Sequence, residues 1–338
     1  MRRFQMTSRI SRIGAALCAA FLWGASAACA AEASAANVAA SPAPKRLRVV
    51  ATIFPAWDWA REVLGSESGG VELALLVDDG VDMHSYQPTA GDLRKVAACD
   101  LFIHVGGESD GWVGPALAAA PNPRRKVLSL LEALGSAVKA EETVEGMEPA
   151  PGKGDDKEEE ERDEHVWLSL RHARTLVLAI AESLAALEPA RAAAWRGNAA
   201  AYCERLAALD RDYAAAVAAA PRKTLVVADR FPLRYLADDY GLGYFAAFPG
   251  CSAETDASFK TVVFLAGKAD ALGARSLLVL EGGGHRIADT VRAATRAKNL
   301  SIQAFDSLQS TTAAEAAAGK TYLGAMRANL AALAEALR

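Results

Sequence analysis

Two sets of short apolar, β-branched runs flank one unbroken alanine-rich segment, and this arrangement narrows the fold more than any other feature of the chain. Leu47 to Ile53, Val71 to Val77, Leu101 to Val105 and Lys126 to Leu128 read as strands, with helical patterns such as Trp57 to Leu64 and Ala90 to Ala98 between them. The rhythm resumes with Thr224 to Ala228, Gly243 to Phe248, Ser276 to Leu280 and Ser301 to Ala304. Strand and helix in alternation predict parallel sheets wrapped by helices. From Pro189 to Ala219 the chain is alanine-rich, with Gly197 its one glycine, and Leu206, Leu209 and Tyr213 recur at helical spacing. Pro189 suits the first turn of a helix. Such a helix spans about 45 Å, a rigid strut rather than a flexible hinge. The expected fold is α/β: two parallel-sheet α/β lobes joined by one long rigid helix. Residues 47–188 form the N-terminal lobe, 189–219 the connecting helix and 220–338 the C-terminal lobe. With 338 residues, 52% of them hydrophobic, the chain can supply a core to each.

The first thirty residues follow a different logic. Arg2, Arg3, Arg9 and Arg12 form a positive head, an apolar run extends from Ile13 to about Leu22, and Ala28-Cys29-Ala30 gives an A-x-A cleavage pattern. This is the layout of a secretory signal peptide over residues 1–30, followed by a linker over 31–46. The apolar run is short for a membrane span. Export follows, to the periplasm or cell surface, with a lipid anchor at Cys29 as the alternative. Loss of the four arginines takes the net charge from −4 to −8, which excludes nucleic acid as a partner on charge grounds. The deficit is local. Glu141 to Glu164 holds twelve acidic residues against Lys153, Lys157 and Arg162. A run such as Asp155-Asp156-Lys157-Glu158-Glu159-Glu160-Glu161 repels itself and is expected to form a solvated loop.

Few residues are left to carry chemistry. After cleavage three cysteines remain: Cys99 reads as core, while Cys203 and Cys251 are available to pair, which spacing alone leaves open. No C-x-x-C occurs, so a thiolate zinc knuckle is excluded. Of five histidines, His104 lies within an apolar strand and His172 at a helix start beside arginines, both structural positions. His84, His165 and His285 sit at loop edges, His84 and His285 just after strands, where α/β folds bind ligands. Neutral imidazole is the commonest metal ligand and suits zinc.

Several segments carry a family resemblance. Ala51-Thr52-Ile53-Phe54-Pro55, Met83-His84-Ser85-Tyr86-Gln87-Pro88-Thr89, Glu164-His165-Val166-Trp167-Leu168-Ser169 and Tyr235-Leu236-Ala237-Asp238-Asp239-Tyr240-Gly241-Leu242 resemble the zinc/manganese substrate-binding proteins of ABC importers, in the family's order and from about Leu47 to the C-terminus. The resemblance implies two α/β lobes joined by a long helix, a metal between them, two ligands from each lobe, and a membrane permease as partner. It assigns His84 and His165 as the first two ligands. The third falls five residues before the tyrosine of Y-x-x-x-x-Y-G-L, where this chain has Arg230, which cannot coordinate a cation. One extra residue there would bring Asp229 into the role. The fourth follows the strand Leu277 to Leu280, where His285 is favoured and Glu281 is the substitute or supporting partner.

Three imidazoles and one carboxylate make a closed tetrahedral zinc site, whereas manganese prefers more oxygen ligands. Zinc is therefore the expected cargo, with a manganese receptor of the same type as the alternative, and a monomer is expected. An exported zinc hydrolase is disfavoured: His-Glu-x-x-His is absent, and Gly282-Gly283-Gly284 lacks the lysine of a phosphate-binding loop. An adhesin is a third class, since one fold hosts many roles.

Overall fold

The strands that the pattern predicted are present and form two sheets of one topology. The computed structural model describes residues 46–147, 161–252, 256–282 and 285–338. The expected signal peptide, all of the expected linker but its last residue, and the middle of the acidic segment lie outside the described residues. In the first lobe, β1 (Leu47–Ala51) pairs in parallel with β2 (Val71–Leu75) and β3 (Leu101–His104), and β3 pairs with β4 (Lys126–Ser129), giving the order β2-β1-β3-β4. In the second, β5 (Thr224–Phe231) pairs with β6 (Gly243–Pro249) and β7 (Ser276–Leu280), and β7 with β8 (Ser301–Phe305), giving β6-β5-β7-β8. In each sheet the chain moves outward from its first strand on one side, then returns to its other side. That reversal opens a crevice at the carboxyl ends of the strands, where α/β sheets bind ligands.

Parallel strands need helical crossovers, and the sequence supplies them with local stop and start signals. The first lobe carries α1 (Phe54–Leu64), α2 (Ala90–Ala98), α3 (Val113–Ala119) and α4 (Leu130–Leu134). Pro55 opens α1, and Thr89 with Asp92 closes a reciprocal capping box on α2. Then α5 (Leu170–Leu187), capped by Ser169, and α6 (Ala192–Ala219) form a hairpin whose turn is Pro189–Arg191. At 28 residues α6 is about 42 Å long. Its buried stripe, Trp195, Ala199, Tyr202, Leu206, Leu209, Tyr213 and Val217, recurs every three or four residues. The second lobe adds α7 (Arg234–Tyr240), α8 (Phe259–Leu272), α9 (Arg286–Ala294), α10 (Ala313–Ala317) and α11 (Tyr322–Ala336).

One continuous core runs through both lobes, from Val49, Trp59 and Ile103 through Trp167, Leu176 and Tyr202 to Leu225, Tyr235 and Met326. The outer faces of the sheets close over two smaller cores, around Phe102 and Tyr86 in the first lobe and Phe248 and Leu265 in the second. The C-terminal helix adds a link the strand pattern did not foretell. The Tyr322 backbone N–H donates to Asp58 on α1 at 2.8 Å, its hydroxyl donates to the Trp167 carbonyl at 2.7 Å, and Tyr213 on α6 donates to the Met326 carbonyl at 2.6 Å. α11 thus binds the first lobe and the strut together.

Candidate metal centre

His84 and His165 meet where the two sheets' carboxyl ends face each other. His84 lies in the short turn Met83–Ser85 that follows β2, and the Asp82 carboxylate accepts its backbone N–H at 3.0 Å. His165 precedes a similar turn, Val166–Leu168, and is fully buried. Their Nε2 atoms stand 3.1 Å apart. Each ring is held through its other nitrogen. His165 Nδ1 lies 2.9 Å from Asp163 Oδ1, and His84 Nδ1 lies 2.7 Å from Ser109 Oγ, in the loop after β3. A carboxylate on Nδ1 keeps the proton there and leaves the Nε2 lone pair bare, the state in which imidazole binds metal. Burial first, then the neighbouring His165, pushes His84 down to about 3, so its imidazole is uncharged near neutral pH.

The acidic segment begins and ends at this site. Glu141 N–H donates to the Glu161 carbonyl at 2.7 Å and Asp163 N–H to the Lys139 carbonyl at 2.8 Å, so its ends are drawn into a short antiparallel stem. That stem delivers Glu164 and His165 into the crevice. Glu164 is buried, and its Oε1 accepts the Ser109 N–H at 2.9 Å. Gly107, at a positive φ of 132°, lies so close to the Glu164 carboxylate that no side chain fits there. Glu164 Oε2 makes no hydrogen bond and lies 3.8 Å from His84 Nδ1. Burial raises its carboxyl above the usual range. The expectation of a solvated loop meets a difference at its start. Glu141 accepts the Cys251 N–H at 2.9 Å, Glu142 accepts the Tyr244 hydroxyl at 2.7 Å, and Glu145 pairs with Lys268 at 3.0 Å. Residues 141–147 are therefore pinned to the second lobe by partners on β6, just past it and on α8.

Among the described residues, one set of histidine, cysteine and carboxylate groups converges closely enough for a metal: His84, His165 and Cys251, with ligand atoms within 4.8 Å of one another. A cavity of about 250 Å³ opens on His84, Ser109, Glu164 and Cys251, with the exposed Glu108 and Arg162 on its rim. Burial, then Glu141, Glu164 and Asp163, hold the Cys251 thiol well above its ordinary range. Cys99, Cys203 and Cys251 are all free thiols, and Cys203 points at the Arg174 carbonyl instead. Gln309, just past β8 and buried, places Nε2 3.0 Å from His84 Nε2.

The structure places the other expected ligands apart from this group. Where an extra residue was expected before Tyr235, β5 carries a bulge: Val227 pairs with Ala246 but Arg230 with Phe248, so Ala228 and Asp229 stand opposite one residue of β6. The bulge turns Asp229 into the sheet, where Oδ2 accepts the Leu280 N–H at 3.1 Å and Oδ1 the Arg230 N–H at 2.8 Å. Arg230 reaches back across the crevice to Asp82 at 2.7 Å, whose other oxygen holds His84. His285 is exposed, at the residue preceding α9. Glu281 is half-buried against the β8 end and accepts the Ser307 N–H and hydroxyl at 2.6 and 2.8 Å. Burial first, then Asp306, raises it to about 7. His104 pairs with Asp110 at 3.2 Å, and His172 packs its ring on Tyr235, as structural histidines do. Sequence reasoning passed over Cys251, Ser109, Gln309 and Asp163. The signal available for Cys251 was its place directly after a strand, in Pro249-Gly250-Cys251.

Two like-ordered α/β lobes, a long connecting helix and an imidazole pair in the crevice between them define the class of two-lobed metal-binding receptors. The chain belongs to the ZnuA family, zinc-uptake complex component A, periplasmic, whose profile matches residues 49–336. The zinc-binding lipoprotein AdcA of Streptococcus pneumoniae serotype 4 is 30% identical over 328 residues, which is 96% of this chain and 60% of that protein. The chain thus spans well under two thirds of that relative's length. The high-affinity zinc uptake system protein ZnuA of Bacillus subtilis is 25% identical over 304 residues, 86% of this chain and 88% of that one. The fold is similar to the crystal structure of the Zn(II)-bound ZnuA-like domain of S. pneumoniae AdcA, with a TM-score of 0.66 at 26% identity, covering 86% of this chain and 99% of that one.

Proposed function

We propose that this protein is the extracytoplasmic substrate-binding receptor of an ABC importer, capturing zinc between its lobes and delivering it to the membrane permease. It works as a receptor, not an enzyme. One observation carries the reading: His84 and His165 present their Nε2 atoms to one point, each ring oriented through Nδ1 by a separate partner. A pair of imidazoles pre-set in this way forfeits little freedom on binding a cation. The relatives' names as zinc-binding and zinc-uptake proteins support the choice of metal. Imidazole donors favour zinc over manganese, which prefers carboxylate and water oxygens. Export rests on the leader-like first thirty residues, cleaved to leave a monomeric receptor or acylated at Cys29.

Metal-stripped protein titrated with zinc in the presence of a competing chelator should bind one ion tightly, and manganese far more weakly. His84→Ala and His165→Ala should each lower zinc affinity by a hundredfold or more, roughly, since each removes a ligand rather than an outer partner. Two equally tight ions, or histidine variants that bind like the parent, would refute the reading.

A further inference from the structure

We infer that Cys251 Sγ is the third metal ligand, so that the captured ion is held by two imidazoles from the first lobe and a thiolate from the second. The inference rests on the receptor reading and gives it a donor set. Its first support is convergence: Sγ and the two histidine ligand atoms fall within 4.8 Å of one another, the spread of donors around a single ion. Its second is independent of the cysteine. Glu164 Oε2 is buried, has no hydrogen-bond partner and lines the same cavity as His84 and Cys251. A buried carboxylate oxygen left without a donor costs free energy unless a cation or its water satisfies it.

The backbone explains how a second-lobe residue comes to lie there. The bulge in β5 uses its extra residue to turn Asp229 into the sheet, so β5 ends without offering a ligand to the crevice. β6 continues beside it, Phe231 pairing with Pro249, and passes Gly250 directly under the His165 ring. A Cβ on Gly250 would lie 2.9 Å from His165 Cε1 and 3.0 Å from the Phe231 carbonyl oxygen. Only glycine lets the strand run this close, and the next residue is Cys251. Its N–H is fixed by Glu141 at 2.9 Å, and its thiol lies between that carboxylate and the two histidines. The arrangement puts two ligand-bearing segments on one side of the crevice and one on the other. A metal joined to both lobes draws them together, which metal bound by one lobe would not do. Thiolate is also a softer donor than carboxylate and shifts preference further from manganese toward zinc.

Cobalt(II) substitution reads the sulfur directly, because a cobalt–thiolate bond gives an intense near-ultraviolet charge-transfer band that imidazole and carboxylate do not. The full mature chain loaded with one equivalent of cobalt should show the band. Cys251→Ser should bind cobalt without it and lose more than about tenfold in zinc affinity, beyond what an outer partner is worth. Cys251→His, which returns a ligand atom to the same place, should recover affinity while leaving the band absent. Zinc should also protect Cys251 from alkylation by iodoacetamide, read by peptide mass spectrometry. A parent protein that binds zinc through His84 and His165 yet shows no band, or a Cys251→Ser variant with parental affinity, overturns the thiolate while the receptor reading stands. A parent that binds neither zinc nor cobalt overturns both.

Discussion

The Tyr235 hydroxyl, on α7 of the second lobe, donates a 2.8 Å hydrogen bond to the backbone carbonyl of Asp163, two residues before His165. The same oxygen accepts the Lys139 N–H at 3.0 Å. One phenol therefore grips both strands of the stem that carries the buried histidine, and it does so from the opposite lobe. Tyr235→Phe leaves the ring packing intact but strands a buried carbonyl and a half-buried N–H. Loss of stability should be about 1–3 kcal/mol. Zinc affinity should fall as well, by a smaller factor than for His165→Ala. Thermal melts with and without zinc measure both, and an unchanged affinity would show that the stem holds His165 without this bond.

Gly250 offers a sharper probe of the same histidine. Gly250→Ala adds a methyl 2.9 Å from the imidazole and 3.0 Å from a backbone carbonyl, neither of which yields easily. Overpacking of this kind costs about 1–3 kcal/mol. The ring has to rotate away from Asp163, so zinc affinity should drop at least as far as in Cys251→Ser. Titration calorimetry decides it.

Much of this architecture could be read from the residues. Each strand begins at the expected residue, and α2 matches its expected span, because the central parallel strands are largely buried and show up as apolar runs and α2 carries its own capping box. His84 and His165 stood out by lying at loop edges. What escaped was set by register and not by composition. The one-residue excess near Asp229 was visible as spacing, but whether an added residue points into the crevice or into the sheet depends on where the ladder slips, which no local pattern records. Cys251 read as a disulfide candidate for the same reason: its neighbours in space, His84 and His165, are brought to it by sheet pairing and the stem, at sequence distances that carry no signal.

Asp229 and Arg230 should separate by function. The Asp229 carboxylate supplies the acceptor that the bulged ladder lacks at Leu280 N–H, so Asp229→Ala should lower the melting temperature while reducing zinc affinity far less than His84→Ala. Arg230→Ala frees Asp82, whose other oxygen caps the His84 turn, and should act chiefly on metal release by loosening the clasp between the lobes. Stopped-flow chelator competition gives the release rate. An Asp229→Ala protein that folds normally and loses zinc entirely would place the carboxylate on the metal.

Glu281 makes stability depend on pH with a defined sign. Its value of about 7 in the fold lies above the ordinary 4.5, raised first by burial and then by Asp306. Below about pH 4.5 the group is protonated in folded and unfolded chains alike and carries no penalty. As pH rises toward 7 the unfolded chain ionises freely while the folded one resists, so this contribution to stability is lost through that window and absent above it. Glu281→Gln, which keeps an acceptor for Ser307, should flatten the curve. The variant should gain on the parent between pH 5 and pH 8 in denaturant melts of metal-free protein, and parallel curves would exclude Glu281 as the source.

The acidic segment should act on the rate of capture rather than on its strength. Residues 148–160 hold six of its twelve carboxylates, and the segment's last residues, Glu161, Arg162 and Glu164, line the cavity that opens on His84 and Cys251. Hydrated carboxylates bind divalent ions weakly beside a pre-set pair of imidazoles, so equilibrium affinity should hardly change when those six are replaced by glutamine and asparagine. Their field still raises the local concentration of cations, over a screening length of about 10 Å at 0.1 M salt and some 30 Å at 0.01 M. Zinc association with the neutralised variant should therefore be several-fold slower than with the parent at low salt and equal to it at high salt. Stopped-flow association at the two salt concentrations is the measurement. Equal rates at low salt would deny the segment any part in capture, and a large fall in affinity would mean that one of the six carboxylates reaches the ion.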